Sequence, residues 1–337
     1  MLDIFNRDIF GVVSLTDAIN LLPYKPARIG QLGLFTPKPV RTTSVHIEER
    51  NGKLSLLQTS PRGTTGNTNS RRKRRVRTFG IPHIAVEDAV IADEVQGVRA
   101  FGAEDAVEAY TSVVNEKLTE MRQDHEVTHE YHRAGALRGE ILDADGTLLF
   151  DLFDAFGITE KLFNFAVEFD GTADDDGSFL QLCTDVTRYI RDALGADTFD
   201  GIHALCGDVF FDKLVKHPEV RESYREWNQG AYYRTQKIGD GNVFEWGGIR
   251  WENYRGKVGD RDFVDADEAR FFPTGVPGLF QTYYAPADYE ETVNTSGREF
   301  YAKQERMKFD RGIELESQTN PLHICKRPAV LVQGRAT

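Results

Sequence analysis

The order of apolar and polar positions divides the chain into stretches of different texture. Over residues 1–37 the one periodic segment runs from Leu15 to Leu22 and is stopped by Pro23. The rest of that stretch predicts an irregular arm that needs a partner surface. From Val40 to about Gly66 short β-prone runs alternate, with Asn51-Gly52 as a hairpin-turn signal between two of them. A polar stretch, GTTGNTNS, then leads into SRRKRRVRTFGIPHI. Residues 38–85 therefore predict long strands with polar, Gly-rich connections and too little apolar surface to be ordered alone. Such a segment is ordered by lying on a neighbouring subunit.

The strongest helical signal follows. Val107, Tyr110, Val114, Leu118, Met121 and His125 recur at three- and four-residue spacing, no proline intervenes, and Gly135 and Gly139 mark the end. The spacing predicts a helix of about 30 residues, roughly 45 Å long. Alternation around Asp145-Gly146 then predicts a hairpin. From Asp174 onward the texture is α/β. Acidic Asp174, Asp175 and Asp176 at its start and Gly195 at its end bracket another helix. GIHALC reads as a buried strand followed by one or two helices, and aromatic-rich strands run through NVFEWGGIRWENYRG and ARFFPTGVPGLFQTYYAPADY. NPLHICKRPAVLVQ predicts a closing strand pair. No internal repeat is visible, which argues against a solenoid or propeller.

Composition narrows the function. With 337 residues, 40% hydrophobic and 28% charged, the chain suits one or two globular cores with extensions. A net charge of -12 excludes a protein whose whole surface grips nucleic acid, because phosphate binding needs a surplus of cations at the contact face. Cys183, Cys206 and Cys325 are too far apart for a CxxC ligand pair or a dense disulfide framework, so a reducing compartment is expected. The N-terminal stretch lacks a basic n-region and a continuous apolar h-region, and no apolar run approaches the roughly 20 residues that span a bilayer. Neither a secretion signal nor a membrane contact is expected.

Three clusters carry candidate chemistry. His125, Glu126 and His129 form HEVTH, the HExxH pattern that puts two imidazoles one helical turn apart for zinc with a glutamate as general base. A third ligand and a cleft find no downstream candidate, so the motif is expected to be a solvated or interface helix face. The dense basic run Arg71, Arg72, Lys73, Arg74, Arg75 and Arg77 suits a nucleic-acid contact, a nuclear localisation signal or a clamp on an acidic neighbour. In an acidic chain the intersubunit clamp is favoured over nucleic acid on charge complementarity. Asp174, Asp175 and Asp176 lack the alternating ligands of a calcium loop and read as a helix start. No GxxxxGK[ST] or GxSxG pattern occurs. No cofactor, metal or catalytic residue is assigned.

The C-terminal third carries a family resemblance. Phe272-Pro273, PGLF at Pro277 to Phe280, APADY at Ala285 to Tyr289, VNT at Val293 to Thr295, YAKQE at Tyr301 to Glu305, NPL at Asn320 to Leu322 and Arg327-Pro328 occur in order over 57 residues. This pattern resembles the major capsid protein E family of tailed bacteriophages, and the similarity continues more loosely along the whole chain. The resemblance implies an α+β chain of Hong Kong 97-like capsid fold, and a structural rather than enzymatic role. Residues 1–37 would be the N-terminal arm and 38–98 the extended loop. Residues 99–173 with 298–319 would be the peripheral domain with its spine helix, and 174–297 with 320–337 the axial domain. It further implies pentamers and hexamers of self-assembled subunits, a precursor shell around scaffolding protein, a portal at one vertex and packaged double-stranded DNA without sequence-specific binding. The loop begins so early that a separate scaffold is expected, and relatives commonly reinforce the shell with a decoration protein. The place of action would be the virion, assembled in the host bacterial cytoplasm.

Overall fold

The computed structural model describes residues 15–16, 19–20, 28–50, 74–95, 106–169, 177–195, 197–221, 243–258 and 261–337. The chain divides into two compact units: Met1–Val45 with Phe79–Arg133 and Gln281–Ile324, and His46–Thr78 with Ala134–Phe280 and Cys325–Thr337. Among the described residues, no helix is long and apolar enough to cross a membrane.

The first unit is built on most of the predicted long helix, which runs over Ala106–Arg138. An antiparallel sheet lies against it, with Gly312–Thr319 central between Tyr301–Arg306 and Ile84–Ile91. Strand alternation sends Ile313 and Leu315 to one face, where they meet Val114, Leu118 and Met121 of the helix together with Val90, Phe300 and Ala302. Leu15 and Ile19 join the same core. Leu15 and Ile19 of the arm's periodic stretch thus find a partner surface within this unit. A second sheet of this unit sets Thr36–Pro39 parallel to Phe280–Tyr284, with Pro321–Cys325 on the other side.

The second unit centres on a mixed six-stranded sheet in the order Lys161–Asn164, Val332–Arg335, Glu268–Thr274, Gly201–Cys206, Ile249–Asn253, Val243–Trp246. The predicted closing strand pair is corrected here: Pro321–Cys325 and Val332–Arg335 enter different sheets, because a turn at Pro328–Val330 separates them. One face of the six-stranded sheet is apolar. Phe165 stacks on Phe271 at 5.7 Å and meets Phe210 edge-on at 5.3 Å. Gly334 lies beneath these rings; a Cβ there would sit 2.8 Å from Phe271 and 2.9 Å from Phe165. The helix Ser178–Leu194 buries Phe179, Cys183, Val186, Ile190 and Leu194, a stripe at helical spacing. The other face carries a buried polar cluster beside the apolar Leu205 and Phe272, whose ring stacks on that of His203 at 5.5 Å. His203 Nε2 lies 2.9 Å from Glu252 Oε2, while Glu268 accepts from Arg270 at 2.5 Å and from Gln333. A hairpin at Glu140–Leu142 and Leu148–Asp151 turns where the Asp-Gly signal predicted it, with Gly146 at φ 93°. All three cysteines are buried free thiols; burial pushes Cys325 up to about 12 and raises Cys183 and Cys206 as well.

Candidate assembly interface

The basic run is only partly within the described residues. Ser44–Arg50 and Arg74–Gly80 pair as a two-stranded ribbon joined to no third strand among the described residues. Val45, Ile47 and Phe79 are buried on it, and His46 Nδ1 meets Thr78 Oγ1 at 2.9 Å. Arg74 and Arg75 lie on its second strand. Arg71, Arg72 and Lys73 fall outside the described residues, as do the Asn51-Gly52 turn and Asp174, Asp175 and Asp176. Arg77 is engaged within its own chain: Nη2 donates to Phe156 O at 2.9 Å and the guanidinium sits 4.9 Å over the Phe156 ring. Phe156 ends the short helix Leu152–Phe156, where a cation complements the helix dipole.

HEVTH turns out to be neither a metal site nor a solvated or interface face. His125 and His129 are buried, at 0% and 1% exposure, on the helix stripe that faces the sheet. His125 Nε2 meets Ser317 Oγ at 2.8 Å and His129 Nε2 meets Thr319 Oγ1 at 2.8 Å. The two spacings explain the match. Four helix residues advance about 6.0 Å and two strand residues about 6.8 Å, so imidazoles one turn apart meet hydroxyls on alternate strand positions. The Thr319 hydroxyl donates to Glu299 O at 2.7 Å and therefore accepts from His129. His323, also buried, bonds Thr282 Oγ1 through Nδ1 at 2.7 Å, and its ring lies 5.3 Å from that of His129. The remaining nitrogens, Nδ1 of His125 and His129 and Nε2 of His323, are buried with no hydrogen-bond partner among the described residues. Each imidazole is accordingly held neutral. Burial lowers His125 to about 4 despite the opposing Ser317 contact. Burial, reinforced by Arg133 and the neighbouring imidazoles, puts His129 and His323 well below the ordinary histidine range. Glu126, the would-be general base, accepts from Arg122 Nε at 2.8 Å. No group of three or more His, Cys, Asp or Glu poised for a metal occurs among the described residues.

Two features had no sequence signal. The arm is tied down by polar groups of the long helix: Glu130 accepts from the backbone N–H of Ile29 at 2.6 Å and of Gly30 at 3.0 Å, and Arg122 donates to Ile19 O. Asn20 adds a bond to Phe300 O at 3.0 Å. On the outward face of the first unit's three-stranded sheet, Glu305 stands directly opposite Glu314, and Glu316 stands between Glu87 and Lys303. Like charges directly opposite on neighbouring strands destabilise a sheet. Registers of this kind emerge only when strands far apart in sequence are paired.

The family described as phage major capsid protein E matches residues 11–336. The major capsid protein of Salmonella phage Felix O1 is 28% identical over 97% of this chain and 96% of its own length. That of Pseudomonas phage KPP10 is 29% identical over 97% of each chain. Among solved structures, the putative capsid protein of a prophage of E. coli CFT073 superposes with a TM-score of 0.59 at 12% identity, over 97% of this chain and 99% of its own. A capsid chain of the Myoviridae phage XM1 superposes with a TM-score of 0.50 at 10% identity, over 95% of each. The chain belongs to the phage major capsid protein E family. It is a structural subunit of the phage capsid shell with the mixed α+β capsid fold, and it is not an enzyme.

Proposed function

We propose that this subunit assembles through pentamers and hexamers into an icosahedral head shell enclosing double-stranded DNA. The observation that carries the reading is the ribbon of Ser44–Arg50 and Arg74–Gly80, which shares no sheet with any other described strand. A two-stranded ribbon is marginal in water by itself; the apolar Val45, Ile47 and Phe79 are buried within its own chain, and its strand edges, paired with no third described strand, are left for an adjacent copy to cover. In this reading residues 1–37 are the arm, 38–98 the extended loop, 99–173 and 298–319 the peripheral domain, and 174–297 and 320–337 the axial domain. The cations from Arg71 to Arg75 grip an acidic neighbour, each pair contributing about 0–1 kcal/mol and the shell multiplying them. A net charge of -12 suits a wall that releases its DNA and does not read its sequence. Assembly proceeds on a separate scaffolding protein in the host bacterial cytoplasm and incorporates a portal at one vertex. A decoration protein is the class of partner that the family resemblance suggests for reinforcement.

Sedimentation velocity and negative-stain microscopy of the purified chain, with and without the phage's scaffolding protein, test this. Rings, tubes or shells whose yield falls as salt rises are expected. A chain that stays monomeric at every concentration, with its ribbon fully protected from hydrogen exchange, overturns the reading.

A further inference from the structure

Between Tyr301–Arg306 and Gly312–Thr319 the chain turns through Met307, Lys308, Phe309, Asp310 and Arg311. Phe309 is 88% exposed; the next most exposed large apolar side chain among the described residues is Val167 at 64%. Phe309 and Asp310 also hold positive φ, 64° and 53°. These two account for all but one of the non-glycine residues in that region among the described residues, the other being Asn294. Left-handed backbone at a non-glycine residue is strained, most of all for a bulky side chain. Glycine at 309 would relieve it. The chain instead keeps an aromatic ring where it adds nothing to its own core, a local conflict with folding of the kind that marks functional sites.

The tip is held firmly. Met307 N bonds Gly312 O at 3.0 Å, Asp310 N bonds Met307 O at 3.2 Å, and Ala92 N bonds Arg311 O at 2.9 Å. A Cβ on Gly312 would lie 2.2 Å from Val90 O, so the base of the turn is in backbone-to-backbone contact. The Arg311 guanidinium lies 5.6 Å from the centre of the Phe309 ring, and Ile91, another exposed apolar residue, pairs with Gly312 at the end of its strand. A ring presented on a pre-ordered tip loses little conformational freedom when it is buried by a partner. Lys308 and Arg311 flank Phe309 in sequence, while Arg306 is paired with Asp310 at 3.4 Å; the whole chain carries -12. An aromatic anchor with two cations beside it is complementary to an acidic surface with an apolar socket.

We propose that Phe309 is an assembly anchor that inserts into an apolar socket, with acidic surroundings, on a second copy of this chain. The inference rests on the proposed self-assembly and specifies one contact by which it occurs. The test compares wild-type, Phe309→Ala and Phe309→Leu chains, measuring the concentration at which each assembles and the thermal melting of dissociated subunits. Photo-crosslinking from p-benzoylphenylalanine at position 309 in purified particles identifies the partner. Melting is expected to stay unchanged or rise slightly in Phe309→Ala, because the ring is exposed, while its assembly threshold rises about tenfold or more. Phe309→Leu should fall between the two, and the crosslink should join two capsid chains. If the wild type assembles and Phe309→Ala assembles at the same threshold, the anchor is wrong and self-assembly stands. The anchor is equally overturned if the crosslink reaches DNA or another protein, or forms no product. A wild-type chain that never assembles removes the underlying reading and the anchor with it.

Discussion

Acidifying dissociated subunits from neutrality to about pH 5 puts a load on the His125, His129 and His323 cluster that can be worked out in advance. In the unfolded chain each imidazole takes up a proton as pH falls below its ordinary value of 6.5. In the folded chain the same groups stay neutral, because burial lowers all three. The unfolded state therefore binds more protons below 6.5, and stability is lost as pH drops through that window toward the folded value, about 4 for His125. Each imidazole held neutral removes about 1.4 kcal/mol per pH unit, or about 2 kcal/mol at pH 5. Three of them remove about 6 kcal/mol, comparable with the whole stability of a typical domain, about 5–15 kcal/mol. Urea unfolding of dissociated subunits at a series of pH values measures this directly. His125→Gln keeps an amide donor for Ser317 and removes one titrating group, so it should recover about 2 kcal/mol of the acid loss at pH 5. Stability that is flat between neutrality and pH 5, or an equal pH dependence in wild type and His125→Gln, would refute the account.

Other perturbations separate the remaining contacts. Gly207→Ala places a Cβ 2.2 Å from Asp265 O and 2.6 Å from Ala266 Cα, both main-chain atoms, and should lower the unfolding free energy in a urea titration by about 3 kcal/mol. Glu130→Ala leaves the Ile29 and Gly30 N–H groups without their acceptor. Limited proteolysis should then cut the arm while the sheet units survive, at a cost of about 1–3 kcal/mol. Glu314→Lys converts the repulsive pair with Glu305 into an attractive one. It should raise the melting temperature of subunits by an amount worth about 0.2–1 kcal/mol, and the gain should fade with salt. Neutralising Arg71, Arg72, Lys73, Arg74 and Arg75 together should weaken assembly and flatten its salt dependence, read by light scattering across a salt series.

The parts of the fold legible in the sequence are those set by local periodicity. The long helix ends at Arg138 with Gly139 at φ 88°, as the apolar spacing and glycine signal require, and the end of the helix Ser178–Leu194 was marked by Gly195. What could not be read depends on partners distant along the chain. His125 and His129 looked like polar surface because the hydroxyls that make their burial tolerable, on Ser317 and Thr319, lie 192 and 190 positions away. Leu15 and Ile19 announced a helical turn, yet nothing local disclosed that Phe300 and Ala302 would receive it. Phe309 was one phenylalanine among 22, and only the hairpin closing beneath it made the ring conspicuous.

The three sealed thiols make the native chain its own blank background for sulfur chemistry. Cys183, Cys206 and Cys325 are too buried and too reluctant to ionise to compete with a thiol introduced at the surface. Two cysteines engineered on facing edges of a particle should therefore join only where neighbours meet. The contacts of the lattice can be charted bond by bond with no prior removal of natural sulfhydryls.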